Sequence, residues 1–194
     1  MNDKELLPWL EKMLTGDEAA FRFVYQTTHT DVHRTIAFLI YNKQDIEDIT
    51  NETYIRMWRS FHTYDRSRPF RFWLHGITVR QVQDWKRKAW RRIRLFERNR
   101  LMHDEQFDWT DSEVMKSETQ LELLGVVRTL SYKLRVVVIL RYFHDYALDE
   151  IAELLQIPLG TVKSRHHLAL KALRKHCELT GGDSSYVHRQ TTTR

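Results

Sequence analysis

Apolar side chains recur three and four residues apart along most of the chain, the spacing of helices that bury one face. Asp17 can cap a first helix, which turns inward the side chains of Ala20, Phe21, Val24 and Tyr25. A second helix is predicted through Val32, Ile36, Leu39 and Ile40. A third is predicted from about Gln44 to Phe61, and its buried stripe comprises Ile46, Ile49, Thr50, Thr53 and Met57.

The opposite face of the third helix combines acidic residues with a large aliphatic one. At 100° per residue, Ile55 falls among Glu47, Asp48, Asn51 and Glu52, with Trp58 at the rim. A face that is only solvated does not need an isoleucine at its centre. Two interpretations remain open, a protein-docking face and a plain acidic face, and the pattern favours docking.

The segment from Tyr64 to Pro69 reads as a loop, and Pro69 suits the start of the helix that follows. That helix, from Phe70 to about Arg94, carries aromatic residues on two sides and ends in Lys86, Arg87, Lys88, Arg91, Arg92 and Arg94. Aromatic rings among basic residues suit unstacked bases and a phosphate backbone. The alternative is a core helix followed by a solvated basic stretch, and the pattern favours binding.

A second helical unit starts near Glu118, after a stretch from 95 to 117 that loses periodicity and gains acidic residues. Its VVVIL run is predicted to be a buried helix, with a buried strand as the competing assignment. Further on, Leu148, Ile151, Ala152 and Leu155 share one helix face. The sequence QIPLG then interrupts the pattern before a helix with a polar, basic first turn, so residues 148–174 predict a helix-turn-helix or an ordinary helical hairpin.

Composition supports a helical chain. Six Gly and three Pro in 194 residues are too few for a sandwich or barrel, so an all-α fold is predicted. The single cysteine, Cys177, excludes an internal disulfide framework. The first residues, MNDKELLPWLEKM, do not resemble a signal peptide, and no run is apolar enough for membrane insertion, so a reducing cytoplasm is expected.

Charge is unevenly distributed along the chain. Residues 62–100 hold 12 Lys and Arg against 3 Asp and Glu, and residues 125–176 hold 9 against 4. Residues 101–124 between them hold 1 against 7. Two basic blocks separated by an acidic one indicate two surfaces for a polyanion joined by a linker that avoids it.

The run LRYFHDYALDEIAELLQIPLGTVKSRHHLALKALR resembles the domain that reads the promoter −35 element in extracytoplasmic-function (ECF) sigma factors, a branch of the sigma-70 family. Four further motifs are similar to the other domain of that family, in its order and spacing: GDEAAF, DIEDITNETYIRMW, FHTYDRSRPFRFWLHGIT and QDWKRK. The resemblance implies two small helical domains joined by an acidic linker. Residues 1–94 would form a region 2-like domain, 95–117 the linker, 118–177 a region 4-like helix-turn-helix and 178–194 a disordered tail.

The resemblance also implies a dissociable subunit that guides core RNA polymerase to promoter DNA and helps open it near −10. Such a subunit has no catalytic site, metal or cofactor of its own, acts in the cytoplasm and nucleoid, and is commonly controlled by an anti-sigma factor. Polymerase contact is expected at Asp45, Glu47, Asp48, Asn51, Glu52 and Ile55. Contact with the −10 element is expected at Tyr64, Asp65, Arg66, Ser67, Arg68, Phe70, Trp73, Arg80, Lys86 and Arg87. Contact with the −35 element is expected at Thr161, Lys163, Ser164, Arg165, His167 and Lys171.

The chain departs from the family pattern at five positions. Ser131 stands where the family usually has Pro, and Ala147 stands where Ser or Thr usually caps a helix. Arg80 occupies a position that is often Asn. Leu168 and Leu170 replace arginines of the recognition helix, so we expect weaker −35 binding unless these leucines face a partner.

Two other classes of function are considered beside the sigma factor. A stand-alone regulator would use the same helix-turn-helix on duplex operator DNA, but it has no need of the TYDRSRPFRFW stretch. A metal-dependent nuclease would need converging ligands. Adjacent His166 and His167 point about 100° apart on a helix, and His176 lies off their faces, so catalysis is disfavoured.

Overall fold

The computed structural model describes residues 3–96 and 125–180. The chain divides into two compact units, Met1–Val114 and Met115–Arg194. Over the described residues the secondary structure is helical without a strand, which confirms the all-α prediction. The sequence predicted a linker over 95–117 and a disordered tail over 178–194, but residues 95–96 belong to the helix Phe70–Phe96 and residues 178–180 to the helix Leu159–Thr180, so both predicted boundaries were placed too early. The remainder of the two segments, 97–117 and 181–194, lies outside the described residues. Among the described helices, none is both long enough and apolar enough to pass through a lipid bilayer.

The first unit consists of four α-helices and one turn of 3₁₀ helix. They are α1 (Asp3–Leu14), α2 (Glu18–Leu39), α3 (Lys43–Ser60), the 3₁₀ turn (Phe61–Thr63) and α4 (Phe70–Phe96). The sequence predicted neither α1 nor the continuity of α2, so the two helices expected across Asp17 to Ile40 were wrong. Across the polar stretch between them, the Thr27 and Thr28 hydroxyls donate to the carbonyls of Phe23 and Val24, at 2.8 and 2.7 Å, so both hydroxyls are satisfied within one continuous helix.

The buried stripe of α3 matches the prediction, since all five of its residues are buried: Ile46, Ile49, Thr50, Thr53 and Met57. The other helices of this unit also contribute fully buried residues to its core, among them Leu6, Val24, Ile36 and Leu74. Two contacts attach α1. Trp9 stacks on Phe23 with ring centroids 4.2 Å apart, and Asp3 accepts the backbone N–H of Arg71 at 3.2 Å, at the start of α4.

The second unit contains α5 (Tyr132–Tyr142), α6 (Leu148–Leu155) and α7 (Leu159–Thr180), preceded by helical residues 125–128. The VVVIL run is helical, as predicted, and Val137 and Leu140 are fully buried. Arg135, a buried residue in the first turn of α5, donates Nη2 hydrogen bonds to the carbonyls of Arg128 and Leu130 before the helix, at 3.1 and 2.9 Å. This side chain stabilises the turn at Ser131, whose own side chain makes no capping bond.

The helix-turn-helix is formed by α6, a short break and α7. The prediction of the inward face of α6 was only partly right, because Ile151 and Leu154 are buried while Leu148 and Leu155 are half-buried. Without a Ser or Thr cap, the start of α6 is stabilised by Glu150, whose Oε2 accepts the Ala147 backbone N–H at 2.7 Å. Gln156 ends the helix in the left-handed region, at φ 55°.

Candidate functional site

The outer face of α3 exposes most of the residues predicted for polymerase contact. Glu47, Asp48, Asn51 and Glu52 are exposed, Ile55 is 44% exposed in their midst, and Asp45 is half-buried. His33 on α2 lies with Nε2 3.2 Å from Glu47 Oε1, which orients that carboxylate. The face therefore presents fixed negative charge around an accessible aliphatic side chain.

An aromatic groove between α2 and α3 borders this face. Its volume is about 840 Å³, and it is lined by Glu18, Phe21, Arg22, Tyr25, Asn51, Tyr54, Ile55, Trp58 and Arg59. Phe21 meets the ring of Trp58 edge-on at 5.2 Å, and Tyr25 lies 4.6 Å from Tyr54. The sequence placed Phe21 and Tyr25 in the core. The structure corrects this, because both are half-exposed and line the groove.

The loop before α4 has a defined local structure. Asp65 Oδ1 accepts the Ser67 backbone N–H at 2.9 Å, which lowers the pKa of the Asp65 carboxyl. The Tyr64 hydroxyl donates to the Arg68 carbonyl at 2.7 Å, closing the loop. The four residues Asp65, Arg66, Ser67 and Arg68 are all exposed, and the Arg68 guanidinium lies over the ring of Phe72 at 5.6 Å.

Phe70 does not belong to the accessible part of this region. Its side chain is only 1% exposed and packs edge-on under Tyr64, with ring centroids 5.5 Å apart. A direct base contact by Phe70 was therefore a wrong prediction. Tyr64 and Trp73 are half-buried and lie 5.4 Å apart, so Phe70 positions these two rings from below.

The basic end of α4 faces two arginines of α3 across a second groove of about 420 Å³. Its lining consists of Glu52, Arg56, Arg59, Gln81, Asp84, Arg87, Lys88 and Arg91. Asp84 accepts hydrogen bonds from Arg56, at 3.0 Å, and from Arg87. Five basic side chains against two acidic ones, Glu52 and Asp84, give the groove a surplus of positive charge.

Arg80 and Lys86 occupy less accessible positions on α4. Both are half-buried, whereas Arg87 is exposed. The Arg80 guanidinium folds back along the helix, where a Cβ added at Gly76 would lie 3.2 Å from its Nη2. Burial, with Arg56 nearby, lowers the pKa of Arg80.

The residues predicted for −35 contact lie on α7. Lys163, Ser164, His167 and Lys171 are exposed, while Thr161 and Arg165 are half-buried. Val162 and Ala169 are fully buried on the opposite face. His166 is also turned inward, where its Nε2 lies 2.9 Å from the Tyr142 hydroxyl. Lys163, Ser164, His167 and Lys171 therefore form an exposed polar and cationic strip along α7, which we call the cationic strip.

Sequence reasoning missed Arg56 and Arg59, which join the basic end of α4. They lie three residues apart on α3, and this spacing was the one available signal. The aromatic groove was missed because periodicity assigned Phe21 and Tyr25 to a buried face. Periodicity cannot show which helix covers a given face, because that depends on the tertiary structure.

Family models match both units. Residues 24–92 match sigma-70 region 2, and residues 120–173 match sigma-70 region 4. The chain is 30% identical over 173 residues to the ECF RNA polymerase sigma factor SigX of Bacillus subtilis, covering 84% of this chain and 86% of that protein. It is 28% identical over 182 residues to SigW of the same organism, covering 86% and 93%.

A solved structure shares the fold. The sigma factor RpoE of Bartonella quintana, in its complex with the anti-sigma factor NepR, superposes with a TM-score of 0.69 at 17% identity. The match covers 82% of this chain and 97% of that one. Such a low identity supports the architecture alone.

Proposed function

This chain belongs to the ECF sigma factors of bacterial RNA polymerase, which serve promoter-specific transcription initiation, and we propose that it does so through three surfaces. Residues 1–94 carry the polymerase surface and the −10 surface. Residues 118–177 carry the −35 surface; the proposed linker follows the end of α4 at Phe96, and the proposed tail follows the end of α7 at Thr180. The observation that carries the proposal is the family match across both units together with the exposed acidic face of α3.

Core polymerase binds the outer face of α3 in this proposal. Ile55 supplies apolar area at the centre, and the surrounding Asp48, Asn51 and Glu52 supply polar and charged contacts. Asp45 and Glu47 extend the face toward the start of the helix. The aromatic groove continues the surface with Trp58, which is 41% exposed. A large aromatic beside an aliphatic anchor is typical of the few residues that dominate binding energy.

The loop from Tyr64 to Arg68 captures unstacked bases of the −10 element. Tyr64 and Trp73 offer ring faces for stacking, and Arg66 and Arg68 offer guanidinium groups to phosphates. Arg80, Lys86 and Arg87 extend the contact along α4. Arg59 and Arg91 of the basic groove add backbone contacts, because a cationic groove attracts phosphates irrespective of sequence.

The cationic strip of α7 reads the −35 element in the major groove. Lys163, Ser164 and His167 stand at the start of the strip, where a recognition helix meets base edges. Thr161 and Arg165 flank them, and Lys171 lies farther along the helix. Short hydroxyl and forked basic side chains suit contacts to base edges and phosphates.

The protein acts as a DNA-binding regulatory subunit, and we infer that it has no catalytic activity of its own. It works in the cytoplasm, and at the nucleoid when bound to polymerase. An anti-sigma factor controls it, a partner that the RpoE structure contains in the form of NepR. A stand-alone operator-binding regulator is not favoured, because region 2 matches as well as region 4.

The test is in vitro transcription with core polymerase from the same host and sheared host DNA as template. The expected result is transcripts that start at discrete sites only when the protein is added. Start sites mapped in this way define the −10 and −35 elements. Absence of any protein-dependent start, with a core enzyme that is active with another sigma factor, contradicts the proposal.

A gel shift with the protein alone distinguishes a sigma factor from a stand-alone operator-binding regulator. A stand-alone regulator binds the duplex promoter tightly without polymerase, and a sigma factor of this kind binds it poorly. Tight and sequence-specific binding by the free protein, unchanged by adding core polymerase, favours the operator-binding regulator.

A further inference from the structure

A large apolar residue, Leu168, is exposed among the residues of the cationic strip on α7. Leu168 is 50% exposed, one of the most exposed large hydrophobic residues in the described part of the chain. Exposed neighbours surround it on the same side of the helix: Ser164, Lys171, Ala172 and Lys175. Ser164 lies four residues before it and Lys171 three residues after it, the spacings at which helical side chains adjoin.

The position of Leu168 is not explained by packing within the protein. The inward face of α7 is formed by Val162 and Ala169, both 0% exposed, with His166 bonded to Tyr142. Leu168 lies on the other side. Leu170 differs from it, because Leu170 is half-buried at the border between the two faces. Only Leu168 of this pair stands within the proposed −35 surface.

We propose that Leu168 reads a thymine in the −35 element through the C5 methyl group of the base. This inference rests on the proposed function, in which α7 lies in the major groove. Thymine is the base that presents a methyl group there, and an apolar side chain recognises it by contact rather than by a hydrogen bond. A leucine offers no donor to phosphate, so it contributes base preference instead of backbone affinity.

The neighbours of Leu168 support a base contact over a contact with a protein. Lys171 and Lys175 lie three and seven residues after it on the same side of α7, and their positive charge attracts a phosphate backbone next to the leucine. A protein-binding apolar patch usually comprises several hydrophobic side chains with charge depleted at its centre. Here the immediate neighbours are two lysines, a serine and an alanine.

The experiment compares thymine with deoxyuridine, which pairs identically but lacks the C5 methyl group. Holoenzyme is assembled from core polymerase and the full chain, on a promoter mapped as described above. Each thymine of the −35 element, on either strand, is replaced singly. One replacement is expected to lower transcription about fourfold at limiting holoenzyme, the ratio that corresponds to about 0.8 kcal/mol for one buried methyl-sized group.

Leu168→Ala provides the decisive comparison. With this variant the thymine and deoxyuridine templates should perform equally, because the partner of the methyl group is gone. Leu168→Met keeps an apolar side chain of similar volume and should retain the preference for thymine. Leu14→Ala is the matched control, since Leu14 is 48% exposed in the other unit and should leave the preference unchanged. Circular dichroism checks that each variant is folded.

Three outcomes overturn the inference while leaving the proposed function intact. In the first, wild-type holoenzyme initiates correctly yet shows no sensitivity to any deoxyuridine. In the second, the sensitivity persists in Leu168→Ala, which assigns the methyl contact to another residue. In the third, the mapped −35 element contains no A·T pair. Failure of the proposed function is distinct, because in that case the wild-type protein directs no initiation on any template.

Discussion

The Tyr64 hydroxyl donates a hydrogen bond of 2.7 Å to the backbone carbonyl of Arg68, joining the two ends of the loop before α4. Between these residues the Asp65 carboxylate accepts the Ser67 backbone N–H. The loop is therefore ordered before DNA arrives. Ordering in advance lowers the entropy cost of capturing a base.

Removal of the Tyr64 hydroxyl should weaken DNA opening. Tyr64→Phe keeps the aromatic ring but loses a hydrogen bond typically worth about 0.5–1.5 kcal/mol, so open-complex formation should fall by about two- to tenfold. Open-complex formation is measured by the permanganate reactivity of unpaired thymines near −10. Tyr41→Phe, at a tyrosine 42% exposed in the same unit, is the control and should leave opening unchanged. If Tyr64→Phe and the wild-type protein open the promoter to the same extent, the hydrogen bond between Tyr64 and Arg68 does not contribute to DNA opening.

Truncation of Ile55 should weaken binding to core polymerase without unfolding the protein. Ile55→Ala removes the apolar centre of the acidic face, and a central contact of this kind is worth about 1–2 kcal/mol, so the Kd should rise by about 5- to 30-fold. Binding is measured by fluorescence anisotropy of labelled protein titrated with core enzyme. The free energy of unfolding should change little, because the side chain is 44% exposed.

The matched control for Ile55 is Leu7→Ala. Leu7 is 42% exposed on α1, away from the acidic face. Its truncation should leave the Kd for core polymerase unchanged. If both variants lose affinity equally, a general loss of apolar surface explains the effect and the docking face on α3 is wrong.

The basic groove should make promoter binding sensitive to salt. Arg91→Ala and Arg59→Ala each remove one proposed phosphate contact, and each should make the slope of log K against log salt shallower by about 0.9. Holoenzyme binding to promoter duplex is measured at several salt concentrations. Lys12→Ala, at an exposed residue of α1, serves as the control for a general change of net charge. An unchanged slope for both arginine variants excludes the groove from the DNA path.

Ser131→Pro should stabilise the second unit. Ser131 has φ −57°, close to the value that a proline ring imposes, and its side chain makes no capping hydrogen bond. The proline restricts the unfolded chain, and the expected gain is about 0.4–1 kcal/mol. Chemical denaturation measures it, with Ser131→Ala as the variant that removes the hydroxyl alone. Destabilisation would mean that the backbone of Leu130 conflicts with a following proline.

Acid should destabilise the first unit through His29. Burial, with the neighbouring His33, lowers the pKa of His29 from 6.5. The unfolded chain therefore binds this proton at higher pH than the folded one, and stability is lost as pH falls from 6.5 through the lower folded value. Above pH 6.5 the residue is neutral in both states and contributes no pH dependence.

His29→Gln should reduce that acid sensitivity. The free energy of unfolding is measured at about pH 8 and about pH 5, and the difference should be smaller in the variant because the titrating group is absent. His62→Gln, at an exposed histidine, is the control. Burial also lowers the pKa of His166 in the second unit, so some acid sensitivity should remain. An identical difference in the wild type and His29→Gln contradicts the assignment.

Local periodicity was sufficient for the elements whose polar and apolar faces alternate cleanly. The α3 stripe through Ile46 and Met57 and the helical VVVIL run follow this rule. It failed at α2, where two helices were predicted and the structure has one. Thr28 lies in the middle of that helix and is fully buried, where its hydroxyl donates to the Val24 carbonyl and contacts the Tyr54 hydroxyl at 2.9 Å. The second contact joins residues 26 positions apart and is invisible to a local pattern.

The sequence by itself determined the helical class, the acidic face around Ile55, the position of the loop before α4 and the family motifs, because each depends on residues near one another in the chain. Tertiary structure alone decided which side chains remain accessible. It buried Phe70 beneath Tyr64, opened the aromatic groove at Phe21 and brought Arg59 beside the basic end of α4. The physical reason is that exposure depends on which distant helix covers a face. The contact between Asp3 and Arg71, 68 residues apart, is one example.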